Sequence, residues 1–593
     1  MKNQNRLHAG LFTATKPVLN LLAAFALLAL TACSGSGSGG NGGNGGNGGG
    51  NGNGGGNGNG DDVVLSTDAT LSNIQLSNIT LDQLFQSSQN SYTASTGFLK
   101  TAVQATATLN DSKASLTING VATDSGATSA SLSLAEGDNN IDIVVTAEDG
   151  VTSQTYNVVV TRQLASNFAQ RAYLKGRSVG ADDNFGNSVA LDGNTLVVGA
   201  VRKTNLAGAV YVFTRDSNGD WSQQADLRAF NREANDSFGT SVAISGDTLV
   251  VGAPLEDGDT SATLDNTNND AIDSGAVYVY TRDKDTGVWA VQAYLKASNA
   301  GVKDHFGERL ALDGDTLAVG AHNEDGDDSG NQDDSGAVYV FTHDSNGDWN
   351  EQTILRAGNA GKGDEFGHSV ALSGDTLVVG APREDGDDSG NENNSGAAYV
   401  FTRSGSSWSQ QAYLKASNAG ARDEFGASVA LEGDTLVVGA IGEDGDADST
   451  VEFPNDNVSR AGAAYVFTRS STSWSQQAYL KASNAGRFDE FGTSVALSGD
   501  TLVVGVPFEN GDDSGTENES GAAYVFTRSG ADWSEQTILR AGNVGAEDRF
   551  GSSVALSGDT LAVGAPFENG DASSTMENPN RKSFHVGVVY VFQ

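Results

Sequence analysis

Short apolar runs alternate with turn residues along most of this chain, which is the pattern of β-strands. The stretch FGHSVALSGDTLVVGAP, residues 366–382, holds two such runs on either side of a Ser-Gly-Asp turn. A long polar loop follows, then an apolar run at residues 397–402 and, after another short turn, a strand-like run at residues 408–415. The pattern therefore predicts four antiparallel strands, at residues 369–372, 376–381, 397–402 and 408–415.

This unit is repeated seven times. The Phe-Gly pairs that mark the repeats begin at Phe185, Phe238, Phe306, Phe366, Phe425, Phe491 and Phe550. The tryptophans open the fourth strand of a repeat and are Trp221, Trp289, Trp349, Trp408, Trp474 and Trp533. Four antiparallel strands in each of seven repeats predict a seven-bladed β-propeller. The first two strands are apolar on both faces and end in small residues, as expected where blades crowd toward an axis.

The seventh repeat lacks a fourth strand, because the chain ends at Gln593, directly after the third. Residues 168–175, FAQRAYLK, lie ahead of the first Phe-Gly and match WSQQAYLK at residues 408–415. We expect this segment to complete the last blade, which closes the ring and removes two exposed sheet edges. The predicted fold class is all-β, with a small β-sandwich preceding a propeller that an N-terminal strand closes.

The N-terminus has the pattern of an export signal. Lys2, Arg6 and Lys16 precede an uncharged apolar run at residues 18–32, which is short for a membrane span. The run closes with Leu-Thr-Ala and Cys33, the single cysteine of the chain. This ending resembles the lipobox of bacterial lipoproteins, which implies that residues 1–32 are a signal peptide and that Cys33 carries a lipid anchor in the membrane. An uncleaved N-terminal anchor is the alternative.

The same resemblance implies a destination. Ser34 follows the cysteine, where an aspartate would favour retention in the inner membrane of enterobacteria. The implied location is the bacterial outer membrane, lipid-anchored, with the rest of the chain in the periplasm or exposed on the surface.

Three further segments follow the signal peptide. Residues 33–62 contain the cysteine and a Gly/Asn/Ser-rich stretch that predicts a flexible tether. Residues 63–163 are short alternating runs separated by turns such as Asn119-Gly120, which predicts a β-sandwich. Their order, from LSNIQLS through NNIDIVVTAEDG to YNVVVTR, resembles the cadherin-like β-sandwich domains of bacterial envelope proteins. Residues 164–593 are the predicted propeller.

The repeat itself resembles a known family. Phe366-Gly367 together with Gly380-Ala381-Pro382 resembles the FG-GAP repeat of integrin α-chain propellers, and more closely the bacterial form of that repeat. Integrins carry a calcium loop of the D-x-D-x-D-G type between these two motifs. Here the interval is only HSVALSGDTLVVG, whose turn is too short to wrap a cation. The calcium site of the family is therefore not expected at that position.

Acidic residues accumulate in another part of the repeat. The net charge is −41, and residues 163–593 contain 64 acidic against 28 basic residues. Such a charge argues against a nucleic-acid partner, which would require basic patches. Six repeats carry an acidic cluster after the Gly-Ala-Pro position: Glu256, Asp257 and Asp259; Glu324, Asp325 and Asp327; Glu384, Asp385 and Asp387; Glu443, Asp444 and Asp446; Glu509 and Asp512; Glu568 and Asp571.

These clusters are candidate calcium ligands, because hard oxygen donors beside Gly and Asn suit Ca²⁺. Solvated acid-rich turns are the alternative, and both interpretations stay open. An aspartate also stands two residues before every Phe of the repeat motif: Asp183, Asp236, Asp304, Asp364, Asp423, Asp489 and Asp548. We expect these aspartates to be structural and to accept backbone N–H bonds where a loop enters a strand.

The sequence offers no catalytic motif. It contains no H-E-x-x-H, no Walker loop and no G-x-S-x-G in the folded part, and each histidine of that part lies at a position that varies between repeats. The prediction is a non-enzymatic envelope lipoprotein for adhesion, binding a protein or glycan through its acidic loop face. The alternatives are a hydrolase or lyase acting on polysaccharide in the propeller funnel, and a passive scaffold. A divergent repeat with His and carboxylates toward the axis would favour the enzyme.

Overall fold

The structure is a computed structural model of the 593-residue chain. It describes residues 64–164, 168–325, 334–385, 393–450, 455–510, 518–543, 545–570 and 583–593. The chain divides into two compact units, residues 1–64 and 65–593, and the second unit contains every strand given below. Cys33, the signal peptide and the tether lie outside the described residues. The described part contains no helix with the length and apolar character of a membrane span.

The first part of the second unit is a β-sandwich of short strands. They are β1 Leu71–Leu76, β2 Ser91–Thr96, β3 Ala102–Val103, β4 Ala105–Leu109, β5 Ser115–Ile118, β6 Val121–Thr123, β7 Leu132–Ser133, β8 Gly137–Thr146 and β9 Ser153–Arg162. The larger sheet has the order β2-β9-β8-β5-β6, and β1 pairs with β4. Alternate residues of β8 and β9, such as Ile143 and Val158, are fully buried between the sheets. The predicted sandwich is confirmed.

The propeller strands continue the numbering, and each blade is one four-stranded sheet. The innermost strands are β11 Phe185–Asp192, β15 Val242–Ser245, β19 Arg309–Asp313, β23 Ser369–Ser373, β27 Phe425–Glu432, β31 Ser494–Ser498 and β35 Ser553–Ser557. The second strands are β12 Thr195–Ala200, β16 Thr248–Ala253, β20 Thr316–Ala321, β24 Thr376–Ala381, β28 Thr435–Ala440, β32 Thr501–Val506 and β36 Thr560–Ala565.

The two outer strands of each blade complete the sheet. The third strands are β13 Val210–Arg215, β17 Ala276–Arg282, β21 Ala337–His343, β25 Ala397–Ser404, β29 Ala463–Ser470, β33 Ala522–Ser529 and β37 Val588–Phe592. The fourth strands are β14 Trp221–Leu227, β18 Trp289–Leu295, β22 Trp349–Leu355, β26 Ser407–Leu414, β30 Ser473–Leu480, β34 Asp532–Leu539 and β10 Gln170–Leu174. A four-residue helical turn, Lys203–Leu206, lies in blade 1.

The ring closes as the sequence predicts. β10 pairs antiparallel with β37, so blade 7 is built from both ends of the propeller segment in the order β10-β37-β36-β35. Neighbouring blades touch through backbone at the end of each second strand. A Cβ on Gly380 would lie 2.1 Å from the carbonyl oxygen of Gly426 in the next blade, so only glycine fits there. The same approach, at 2.2 Å, joins Gly564 of blade 7 to Gly186 of blade 1.

The propeller has two different faces. We call the face with the short turns between first and second strands and between third and fourth strands (3–4 turns) the turn face. The loop face carries the connections from second to third strands (2–3 loops) and from a fourth strand to the next blade (4–1 loops). The sandwich docks on the turn face, where Thr501 Oγ1 donates to the carbonyl oxygen of Leu99 at 2.7 Å. Gly97 N donates to Asp559 Oδ2 at 3.2 Å, and the tilted ring of Phe98 packs against Phe168 at 5.3 Å between ring centres.

Candidate functional site

The aspartates before Phe-Gly have the predicted structural role. In six blades the carboxylate accepts a hydrogen bond of 2.5–2.7 Å from the backbone N–H three residues earlier. The six are Asp183, Asp236, Asp304, Asp364, Asp423 and Asp489, and each is buried. Burial raises the pKa of five of them, Asp236, Asp304, Asp364, Asp423 and Asp489, to about 6, and nearby glutamates act in the same direction. These side chains therefore fix the entry of six 4–1 loops into their strands.

The glutamates of the acidic clusters are buried and paired with cations. Each accepts from a Lys or Arg at the end of the fourth strand of its own blade, with N···O distances of 2.5–3.0 Å. The pairs are Glu256–Lys296, Glu324–Arg356, Glu384–Lys415, Glu443–Lys481, Glu509–Arg540 and Glu568–Lys175. The attraction within a buried ion pair offsets the cost of desolvation only when the remaining donors and acceptors also have hydrogen-bond partners. The surrounding residues provide those bonds.

An asparagine and a tyrosine complete this arrangement. The Asn side chain of the preceding 4–1 loop donates to Oε1 of the glutamate and accepts from the hydroxyl of a third-strand tyrosine. In blade 5, Asn418 Nδ2 lies 3.1 Å from Glu443 Oε1, and Tyr465 donates to Asn418 Oδ1 at 2.9 Å. We call the Glu, its Lys or Arg, the Asn and the Tyr the glutamate network. The other asparagines are Asn231, Asn299, Asn359, Asn484 and Asn543.

The aspartates of the clusters bind the backbone of their own loops. Asp257, Asp325, Asp385 and Asp444 each accept an N–H from the far end of the 2–3 loop, at 2.7–3.2 Å. Asp259 and Asp446 accept side-chain amides across the loop, from Asn268 and Asn455. Asp327, Asp387, Asp512 and Asp571 lie outside the described residues. The glutamates thus have protein cations as partners, and Ca²⁺ binding by these clusters stays a prediction.

Blade 1 has a positive residue at both charged positions of this network. Lys203 occupies the position of the glutamate, and Arg228 occupies the position of the lysine. Lys203 turns to the 4–1 loop, where its Nζ lies 2.7 Å from Asp183 Oδ2 and also contacts the carbonyl oxygen of Ser178. Arg228 pairs with Asp226 at 2.9 Å. The partly buried Lys203 is therefore neutralised by Asp183 in the one blade that lacks the glutamate.

A second group of chemically active side chains lies at the loop-face mouth of the central channel. His305, Glu308 and His322 belong to blade 3, and Glu365 and His368 belong to blade 4. Among the described residues, two triads have ligand atoms within 4.8 Å of one another: His305, Glu308 and His322, and His322, Glu365 and His368. We call these five residues the histidine cluster. It has the His and carboxylate groups that would favour an enzyme, but two neighbouring blades contribute them, so no single repeat of the sequence indicated it.

The side chains of the cluster lie close together, but hydrogen bonds do not join all of them. Glu308 Oε2 lies 3.6 Å from His305 Nδ1 and 3.4 Å from His322 Nδ1. The imidazole rings of His322 and His368 meet edge to face at 5.5 Å. His322 is nearly buried, and burial lowers its pKa to about 4 against the opposing charge of Glu308. Its imidazole is therefore neutral at neutral pH and available as a ligand.

The opposite side of the mouth is cationic and aromatic. The guanidinium of Arg549 lies 4.8 Å from the ring centre of Phe508 and 4.7 Å from that of Phe567. Its Nη2 also lies 2.9 Å from a Glu519 oxygen. Between the two sides runs a channel cavity of about 470 Å³, lined by first-strand residues of all seven blades, among them Ser188, Arg309 and Ser428. The mouth therefore has different chemistry on its two sides.

Comparisons with known proteins agree with this architecture. A sequence model of the cadherin-like beta sandwich domain matches residues 71–163. The model of the FG-GAP repeat matches seven times, at residues 168–213, 221–280, 289–341, 349–401, 408–467, 474–526 and 533–592.

Two individual proteins align with parts of the chain. A protein of Evansella cellulosilytica, named "Putative membrane protein", is 36% identical over 105 residues, which is 18% of this chain and 16% of that protein. The match thus spans a small part of its relative. The crystal structure of Sqt1 from Saccharomyces cerevisiae aligns over 68% of this chain and 84% of its own, with a TM-score of 0.37 and 11% identity.

Proposed function

Since this chain belongs to the FG-GAP repeat family and joins seven such repeats to a cadherin-like sandwich, we propose that it is an adhesion protein whose loop face binds a protein or glycan. The two domain types fit an extracellular β-propeller binding protein. The acidic loop face, the adhesive role and the lipid anchor are the specific parts of the proposal.

The difference between the two faces of the propeller carries this proposal. The sandwich occupies part of the turn face through Leu99, Phe98 and Gly97. The loop face is directed the other way and exposes large apolar side chains. Of the eight that are exposed among the described residues from 168 onward, six lie on it: Phe230, Leu264, Ile272, Val302, Phe488 and Phe584. Apolar side chains exposed within a charged surface are typical of interaction sites.

A matched pair of variants tests which face binds. Beads coated with the full chain are presented to immobilised polysaccharides and to basic proteins. The loop-face variant Phe488→Ser/Phe584→Ser should lose roughly tenfold or more in binding to any partner found. Val288→Ser, an equally exposed position on the turn face, is the control and should bind as the unchanged chain does. Retained binding by the loop-face variant would contradict the proposal.

The lipid anchor is a separate part of the proposal and rests on the sequence around Cys33. Lipidation would hold the chain at the outer membrane, either in the periplasm or on the surface. Cys33→Ser should release the protein from the membrane fraction into the soluble fraction after cell lysis. A variant that still sediments with membranes would favour the uncleaved N-terminal anchor instead.

Calcium is a proposed cofactor of the 2–3 loops. Since the glutamates pair with Lys or Arg, aspartates such as Asp257 and Asp444 would provide most of the coordination. Ca²⁺ at ten times its dissociation constant would stabilise the folded chain by about 1.4 kcal/mol per site. A melting curve of the full chain with millimolar Ca²⁺, compared with Mg²⁺, tests this. An unchanged melting temperature would remove calcium from the proposal.

The histidine cluster favours a second candidate function, a hydrolase or lyase acting on polysaccharide at the channel mouth. Neutral imidazole and carboxylate groups side by side suit general acid and base roles. The test incubates the full chain with a panel of polysaccharides and measures new reducing ends and unsaturated products. Activity that disappears in Glu308→Gln would establish the enzyme, and absence of both products would leave binding as the function.

A further inference from the structure

We propose that His305, Glu308 and His322 bind one divalent transition-metal ion of the zinc class at the loop-face mouth of the channel. His368 stands beside this triad as a neighbouring imidazole. The proposed site is independent of the binding function, because neither the loop-face apolar side chains nor the lipid anchor contributes to it. It is also distinct from the predicted calcium ligands, which are oxygens only.

The spacing of the ligand atoms supports the proposal. Zinc bonds to imidazole nitrogen and carboxylate oxygen are about 2.0–2.2 Å long. Tetrahedral ligands at that bond length are separated from one another by roughly 3.3–3.6 Å. Glu308 Oε2 lies 3.4 Å from His322 Nδ1 and 3.6 Å from His305 Nδ1. These separations fit a shared ion better than direct hydrogen bonds, which are shorter.

Unsatisfied nitrogen atoms support it independently. Nδ1 of His322 and Nδ1 of His368 are inaccessible to solvent and make no hydrogen bond. Buried polar atoms are nearly always paired, and an unpaired one calls for an explanation. A bound ion would satisfy His322. His305 Nδ1 lies 3.0 Å from Asn323 Nδ2, and this contact would be exchanged for the metal.

The chemistry of the ligands selects the class of ion. Imidazole suits Zn²⁺ and neighbouring transition metals, whereas Ca²⁺ and Mg²⁺ prefer oxygen alone. Three protein ligands with a solvent-accessible side are the arrangement of zinc sites that keep one position open. All three side chains are partly exposed, which leaves room for such an open position.

The blade 3 triad is favoured over the blade 4 triad by the neighbouring cations. Arg383 Nη1 lies 2.6 Å from Glu365 Oε1 and already neutralises that carboxylate. The nearest guanidinium to Glu308, that of Arg309, lies at 3.8 Å. Glu308 is therefore the better anionic ligand of the two.

Comparison of equivalent positions shows that the cluster is not part of the repeat. The position of His322 is Pro254, Pro382, Pro507 or Pro566 in four other blades, and Val201 or Ile441 in the remaining two. The position of Glu308 is Asn187, Thr240, His368, Ala427, Thr493 and Ser552 elsewhere. The propeller is built without these ligands in the other blades, so architecture does not require them.

The test is a zinc titration of the full chain carrying Cys33→Ser, which removes the single thiol as a competing ligand. A chromophoric chelator competes for Zn²⁺ at about 0.15 M ionic strength, where screening weakens adventitious binding by exposed acids. We expect one equivalent of tightly bound zinc. His322→Ala and Glu308→Gln should each weaken binding more than about tenfold, and Co²⁺ should show visible absorption that both variants lose.

His343→Ala is the matched control, because His343 is a half-buried histidine on the opposite face. It should bind zinc as the parent does, and melting curves confirm that each variant is folded. Absence of a tight equivalent, or unchanged affinity in His322→Ala, would overturn the proposal. Loss of binding in Glu365→Gln with full binding in Glu308→Gln would overturn the assignment to blade 3. If His322→Ala does not fold, the conservative Glu308→Gln decides the outcome.

Discussion

The glutamate network and the histidine cluster lie on the same face of the propeller. They differ in how many blades contain them and in whether their polar atoms have hydrogen-bond partners. The network recurs in six blades, and each glutamate has a cation and an asparagine within hydrogen-bonding distance. The cluster occurs at one point of the ring and leaves Nδ1 of His322 and His368 without a hydrogen bond. In a repeat protein, polar groups that recur and are satisfied indicate architecture, and groups that occur once and are unsatisfied indicate chemistry.

Two positions that are close in sequence make the contrast sharp. His322 and Glu324 are two residues apart at the start of the same 2–3 loop. Glu324 turns into the blade toward Arg356, at 2.5 Å, whereas His322 faces the channel mouth beside Glu308. One short segment thus holds a structural acid and a candidate ligand. Four predictions probe this difference, and they follow in order of decreasing expected effect.

Opening the ring should have the largest effect, since both regions depend on closure. Replacement of β10 by a Gly/Ser sequence of equal length removes the strand that pairs with β37 and exposes a sheet edge. We expect the propeller to lose its single cooperative unfolding transition, measured by calorimetry. The same replacement in the exposed 3–4 turn at residues 284–287 is the control and should leave the transition intact. A single sharp transition after loss of β10 would show that closure is not required.

Breaking one glutamate network should destabilise strongly. Lys481→Met leaves Glu443 buried without its cation, which costs about 3–5 kcal/mol for buried pairs. Denaturant unfolding measures the loss. The double variant Glu443→Gln/Lys481→Met should recover most of the stability, because no charge stays buried. Equal loss in the single and double variants would mean that packing, and not charge, holds the blade.

The buried aspartates predict a pH dependence. The pKa of Asp364 is about 6 in the folded chain and about 3.9 in the unfolded chain. Between pH 3.9 and about 6, the folded chain therefore binds a proton that the unfolded chain has released. Its contribution to stability is therefore largest near pH 4 and falls as pH rises to about 6. Asp364→Asn keeps an acceptor for Gly361 N and should stabilise by about 1–3 kcal/mol at pH 8 and not at pH 4. Equal effects at both pH values would contradict this assignment.

Changing the cluster should affect stability least. His322→Pro installs the residue found at Pro382 and three other equivalent positions. We expect an unchanged or slightly higher free energy of unfolding, by about 0.4–1 kcal/mol, because proline restricts the unfolded chain. Metal binding should be lost in the same variant. A large destabilisation would show that His322 supports the fold and is not retained for metal binding.

The fold was predictable in detail because each repeat confirms the others. The strands expected at residues 376–381 and 397–402 are present as β24 and β25, the latter extending to Ser404. The closing strand is predictable because residues 168–175 are identical to residues 408–415 at five of eight positions. Periodicity averages over the local ambiguities that limit prediction for a single strand.

The candidate site was less predictable, for two separate reasons. The glutamate network had a sequence signal, since each Asn precedes its Glu by 25 residues, as in Asn418 and Glu443. Its buried character could not be derived, because ion pairing depends on which cations the strand register places opposite the acid. The histidine cluster requires three-dimensional placement, because His322 and His368 are 46 residues apart and meet only through the packing of neighbouring blades.

The docking of the sandwich has a mechanical consequence. A pull on the segment before Leu71 first loads the sandwich, and its contacts at Leu99 and Gly97 pass the load to blades 6 and 7. Without those contacts, the same pull would act on β10 alone and could peel it from β37 one hydrogen bond at a time. These contacts of the sandwich would therefore reduce the force on β10, the strand that closes the ring. If the chain is anchored through Cys33 and binds a partner through its loop face, as proposed above, these contacts would protect β10 against shear.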